Sequence, residues 1–140
     1  MAPVQQVLGR KEKDRAVELG EARSRLAASE TKLHDLEQYR LDYEQAFQKR
    51  ARGGQPVRAL RDFQVFLARL DQAIQQQRQI VAAAQNDVSG HSALWQSAAR
   101  QVKAVDSVVD RWQGEERRAE DRREQKETDE RAQRGARPRT

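Results

Sequence analysis

The sequence predicts an all-α protein: an elongated antiparallel two-helix coiled-coil hairpin whose second helix is the longer. Three observations carry that expectation. The chain has 140 residues, but only 36% are hydrophobic, 35% are charged, and the mean hydropathy is −1.05. A globule of this length needs a thicker core than these residues supply. The apolar residues nevertheless recur at alternating steps of three and four, which marks one face of a helix rather than a disordered chain. Finally, the chain breakers gather at one interior place, with Gly53, Gly54 and Pro56 together in "ARGGQPV".

The first helix is expected over about residues 4–50. Its seam runs Leu8, Glu12, Arg15, Leu19, Ala22, Leu26, Ser29, Leu33, Leu36, Arg40, Tyr43 and Phe47. Glu12 and Arg15 make the seam weak near the N-terminus. The turn is expected over 51–57, since Gly serves a helix C-terminus and Pro fits just past the stop. The second helix is expected over about 58–134. Its seam is better kept, running Leu60, Phe63, Leu67, Leu70, Ile74, Gln77, Val81, Ala84, Val88, His91, Trp95, Ala98, Val102, Val105, Val109 and Trp112. Beyond Trp112 the chain is nearly all charge. Glu127 with Arg131 and Glu130 with Arg134 can support a helix there at about 0.3–0.5 kcal/mol each, and a frayed end fits equally well. Gly135 and Pro138 close the helix and leave residues 135–140 as a disordered basic tail.

A break this short favours antiparallel neighbours. Pairing outward from it sets Phe47 near Leu60, Leu36 near Leu70, Leu26 near Val81 and Leu19 near Val88. At about 1.5 Å per residue the first helix is roughly 70 Å long and the second roughly 110 Å. The first helix then ends near the level of residue 103, and Val105, Val109 and Trp112 overhang. Phe63 and Trp95 are expected to be buried.

Composition narrows the function classes. Without Cys there is no disulfide frame, thiolate metal site or cysteine nucleophile. No apolar run approaches the roughly 18 residues of a membrane span. "MAPVQQVLGRKEK" lacks the apolar core of a signal peptide, so the chain reads as soluble and unexported. No Gly-x-x-x-x-Gly-Lys loop, acid/base cluster or pocket-forming fold suggests an enzyme or a cofactor. His34 faces away from the seam and His91 lies on it. With no third ligand nearby no metal is expected, and His91 reads as a packed core residue. The net charge is +5 and the pI is about 10.0. Much of the excess lies in the last ten residues, "RAQRGARPRT", which hold Arg131, Arg134, Arg137 and Arg139 and no acid. Elsewhere each Arg pair is flanked by Glu or Asp, unlike the continuous basic helices that enter a DNA groove. No nucleic-acid partner is expected, although a non-specific contact through the tail stays open.

One stretch carries more apolar surface than a seam requires. In "DFQVFLARLDQAI" the seam is Phe63, Leu67, Leu70 and Ile74, yet Phe66 and Ala73 form a second line beside it, continued by Ile80. Tyr39 is likewise off the register of the first helix. Such residues either shield the edge of the seam or meet a partner.

The segments "KLHDLEQYRLDYEQAF", a Gly-containing turn, "FQVFLARLDQAIQQQ", a Trp, and "REQKETDERAQR" occur in this order at spacings that resemble the flagellar FliJ family. The resemblance covers about residues 4–134. It implies a non-enzymatic coiled coil like the central stalk of rotary ATPases, serving flagellum biogenesis and motility. The implied setting is cytoplasmic, peripheral at the inner face of the cell membrane through partners only. The implied partners are the hexameric export ATPase, the cytoplasmic domain of the membrane export gate, and export chaperones. The family's gate-contacting pattern matches Leu36, Tyr39, Tyr43, Phe66, Leu70, Ala73 and Gln77, the last being a His in some members. For the ATPase ring the expected contacts are Trp112, Arg117, Arg118, Arg122 and Arg123, at the open end that carries both termini. The stalk of a virulence type III secretion system shares the architecture and is the first alternative; a basic coiled-coil nucleic-acid-binding protein is the second.

Overall fold

The structure, a computed structural model, describes residues 3–54 and 56–136. Two helices account for almost all of it: α1, Val4–Ala51, with 48 residues, and α2, Val57–Ala136, with 80 residues. They pack against each other along the seam as an antiparallel hairpin, with the second helix longer. The expected bounds of α2 differ by one residue at its start and by two at its end. The helix continues through Gly135 and Ala136, because an isolated Gly costs only about 1 kcal/mol and does not stop a helix alone. The remaining positions of the expected basic tail, 137–140, lie outside the described residues.

The turn shows why the breakers sit where they do. Lys49 and Arg50 stand in the last turn of α1, where cations suit the carbonyl end of the helix dipole. The Arg52 N–H still reaches back to the Gln48 carbonyl at 3.3 Å, and the Gly53 N–H to the Arg50 carbonyl at 3.0 Å. Gly54 then takes φ +80°, a left-handed conformation that side-chain-bearing residues resist. Pro56 opens α2, its carbonyl accepting from the Ala59 and Leu60 N–H groups. Gly54→Ala is therefore expected to lower stability by about 1 kcal/mol in denaturant titration. Gly53→Ala, whose new Cβ would meet nothing closer than the Arg50 carbonyl at 3.5 Å, should change it by a few tenths at most.

Because Arg52 and Gly53 still bond into α1, the chain doubles back later than symmetric pairing assumes. Phe47 consequently stacks on Phe63, with ring centroids 3.8 Å apart and planes 9° apart, rather than facing Leu60. Leu60 is 44% exposed. At the other end Gln5 Nε2 donates to Asp106 Oδ1 at 3.0 Å, so α1 covers α2 about one turn further than the level of residue 103. Along the rod the core is thin. Leu19, Ala22, Leu70, Ile74, Val81 and Ala98 are buried. Phe63 and Trp95, expected to be buried, are only half-buried. A large ring on a two-helix seam has a partner on one side and solvent on the other, with no third layer to close it.

Midway, the seam turns polar. Gln77 is 3% exposed and Ser29 9% exposed. Gln77 Nε2 donates to the Ser29 carbonyl at 3.0 Å, and the Ser29 hydroxyl donates to the Leu26 carbonyl at 2.8 Å. A single polar layer of this kind fixes register at some cost in stability. Gln77→Leu is expected to raise stability by about 1 kcal/mol, because an apolar seam residue replaces a buried amide. Chemical denaturation measures this, and a loss of stability would show that the amide contributes more than its desolvation costs.

The two edges of the seam differ. On one, Arg40 bonds Asp71 through Nε, and Arg78 Nη2 lies 3.5 Å from Glu37 Oε1. The hydrogen bond that Arg40 donates to the Asp71 carboxylate raises the Arg40 pKa above its ordinary value, against the opposing effect of desolvation. On the other edge Tyr39 of α1 meets Phe66 of α2, centroids 6.1 Å apart and close to perpendicular. With 80 residues at about 1.5 Å each, α2 extends about 120 Å, and small-angle scattering should give a maximum dimension near that value. A compact chain of this length would be far shorter.

Candidate functional site

All three Phe and both Tyr of the chain gather within reach of the turn. Tyr43 is the hub of this cluster. Its ring lies 4.5 Å from Phe66, 5.3 Å from Phe63 in a stacked geometry, and 6.4 Å from Tyr39. The helical period explains the gathering. Tyr43, Phe47 and Phe63 hold seam positions, while Tyr39 and Phe66 stand one step outside on a single edge, where they cover Tyr43 from the side. Aromatic pairs in tilted or edge geometry add about 0.5–1.5 kcal/mol to the area they bury.

The seven residues matched to the gate-contacting pattern fall into three groups. Tyr39 is 52% exposed, and Phe66 and Ala73 are half-buried on the same edge. These three present a surface. Leu36 and Tyr43 are half-buried seam residues that support it. Leu70 at 7% exposure and Gln77 at 3% are spent on the seam. Asp62, Val65, Phe66 and Arg69 frame a shallow depression against Tyr43, with a volume of about 420 Å³. Val65, 54% exposed, was not singled out by the seam pattern. The signal available for it was an apolar residue at an otherwise polar position.

At the open end, Trp112 stands 62% exposed just past the start of α1. Pro3 and Val4 with Val105, Val108, Val109 and Trp112 line an apolar trough of about 430 Å³. The lining residues Val4 and Val108, at 65% and 38% exposure, belong with Trp112 although only the overhang pattern pointed there. The four arginines expected beside Trp112 are all exposed but do not share one face. Arg122 Nε donates to the Arg118 carbonyl at 3.3 Å, so these two stand one turn apart on one side. Arg117 sits with Gln113, Glu116 and Glu120 on another side. Arg123 follows Trp112 by three turns and lies nearly in line with it. Among the described residues, the expected pairs Glu127 with Arg131 and Glu130 with Arg134 do not close, and α2 remains helical without them.

Among the described residues no three His, Asp or Glu groups cluster to hold a metal ion. His91 sits half-buried on the seam with Nδ1 3.8 Å from Glu18 Oε2 and no hydrogen-bond partner. No helix among the described residues is long and apolar enough to cross a membrane. The molecule is a rod with one apolar surface beside the turn and another at the open end of the hairpin.

Comparison with known proteins gives one positive result. A family model described as "Flagellar FliJ protein" matches residues 1–140. No curated protein and no solved structure matches the chain.

Proposed function

The chain belongs to the flagellar FliJ family, components of the flagellar type III protein-export system, and from that premise we propose that it works there as a stalk joining two partners. The open end, with Trp112, Arg117, Arg118, Arg122 and Arg123, meets the ring of the hexameric export ATPase. The aromatic edge near the turn, with Tyr39, Phe66 and Ala73 supported by Leu36, Tyr43, Leu70 and Gln77, meets the cytoplasmic domain of the export gate. Export chaperones are the third class of partner. The protein has no catalytic step of its own in this reading. It is cytoplasmic, and it lies at the inner face of the membrane only through the gate.

The observation that supports this reading best is the separation of the two apolar surfaces along a rod of two helices. Trp112 and Phe66 are 46 positions apart on α2, about 70 Å at 1.5 Å per residue, with no break between them. A linker must hold its contacts apart, and a continuous helix does this without the entropy loss of a flexible chain. The charged character beyond Trp112 also fits a shaft inside a ring, since strong apolar contact would hold it in one orientation. The test is calorimetric titration of the full chain against the purified ATPase and, separately, the gate's cytoplasmic domain. Both should bind, and each should bind in the presence of the other. Competition between them for one surface would remove the linker reading.

A further inference from the structure

The two edges of the hairpin are built differently over the same length. One edge is closed by the cross-helix pairs of Arg40 with Asp71 and Glu37 with Arg78. The other begins at the Tyr39 and Phe66 contact and continues along α2 in steps of seven through Ala73 and Ile80 and, after Asp87, to Leu94. Ile80 is 52% exposed and Leu94 44%. On α1 the same steps of seven lead from Tyr39 to Lys32 and Arg25. Neither cation enters an ion pair among the described residues. One step further Glu18 is engaged by Arg15 and His91.

Sequence composition singles out the same length. Between positions 72 and 99 α2 carries only Arg78 and Asp87 as formally charged residues, in a chain that is 35% charged. A rod that needed only to stay dissolved has no reason to spare this stretch. Within it Gln, Ala and Ser predominate, and small side chains let another backbone approach closely.

We propose that this edge, from Phe66 to Leu94 with Lys32 and Arg25 opposite, is a groove for a third helix supplied by a partner protein: an amphipathic helix with apolar residues at heptad spacing and an acidic flank. The apolar line on α2 takes the partner's stripe, and Lys32 and Arg25 take its carboxylates. Asp87 interrupts the line and requires one cation in the partner at that level. A helix of about 28 residues spans the groove at 1.5 Å per residue. The groove reaches well past the gate-contacting surface, and its occupant is recognised by charge as well as by apolar fit.

The experiment uses the full chain and two synthetic 28-residue helices labelled with a fluorophore. Both carry Leu at heptad positions and one central Lys. One has Glu flanks, the other Lys flanks. Anisotropy should show the Glu-flanked helix binding at least tenfold more tightly, with affinity falling as salt rises. Ile80→Glu with Leu94→Glu should abolish binding. Both residues are exposed, so the melting curve should be preserved and should confirm that the variant folds. Arg25→Glu with Lys32→Glu should reverse the preference toward the Lys-flanked helix. Equal binding of the two helices, or binding indifferent to all four substitutions, overturns the proposal. So does a self-associated chain in sedimentation that Ile80→Glu converts to monomer, since the occupant is then a second copy. Neither Ile80 nor Leu94 belongs to the gate-contacting set, so failure here is distinguishable from failure of gate binding.

Discussion

Phe66→Ala is expected to weaken binding to the export gate's cytoplasmic domain by about 2 kcal/mol or more, roughly thirtyfold, while costing the free hairpin only about 1 kcal/mol. The asymmetry follows from where the ring sits. Phe66 is half-buried and lies against Tyr43 and Tyr39 from outside the seam, with its far face open. Its truncation leaves a gap that solvent fills. Phe63 is also half-buried, but it is stacked between Phe47 at 3.8 Å and Tyr43 at 5.3 Å, within the seam. Phe63→Ala removes two stacked contacts at once and should cost about 3 kcal/mol, at the lower end for a Phe because the ring is not fully enclosed. Tyr39→Ala should resemble Phe66→Ala, since its ring is 52% exposed on the same edge. Two measurements per variant decide the matter: stability in denaturant, and affinity for the gate domain. If Phe66→Ala destabilises the hairpin as much as Phe63→Ala and leaves gate affinity unchanged, Phe66 belongs to the core and the edge has no partner there.

The contrast between these two rings also shows what the sequence makes legible. The seam could be read in advance because an alternation of three and four has one physical meaning, a helix face that must be covered, and because Gly54 and Pro56 leave one place for the chain to reverse. The depth of burial could not be read. Phe63 and Trp95 occupy seam positions as good as that of Ile74, yet Ile74 is 4% exposed and both aromatics are half-buried. Periodicity says which way a side chain points and nothing about whether two helices suffice to enclose it. Register was legible only to about one turn, because the bonds by which Arg52 and Gly53 prolong α1 are properties of turn geometry. Gln77 illustrates a third limit. As a polar residue in an apolar pattern it stood out equally as a contact for a partner and as a seam layer. Only the Ser29 carbonyl at 3.0 Å, 48 positions away, accounts for its burial.

Removing residues 114–140 should leave the melting temperature of the hairpin within about 2 °C and reduce affinity for the export ATPase at least tenfold. The first half follows from burial. Among the described residues every core side chain of α2 lies at or before Ala98, and beyond Trp112 none is buried. The helix there is held by its own backbone and by local bonds such as Gln125 to Asp129, so its loss leaves the seam intact. The second half follows from the proposed contact, which places four of its five residues in the removed segment. Trp112 survives the truncation, and this separates two ways in which the end could work. If the apolar trough around Trp112 is the anchor, the truncated chain should keep part of its affinity, and Trp112→Ala in the full chain should cost about 2 kcal/mol of binding. If the charged shaft carries the contact, the truncation should remove binding altogether, and binding by the full chain should weaken steeply with added salt. Truncation that unfolds the hairpin would give residues 114–140 a part in the core, against the absence of any buried side chain over 114–136. Truncation that leaves ATPase affinity unchanged would move the contact elsewhere on the rod.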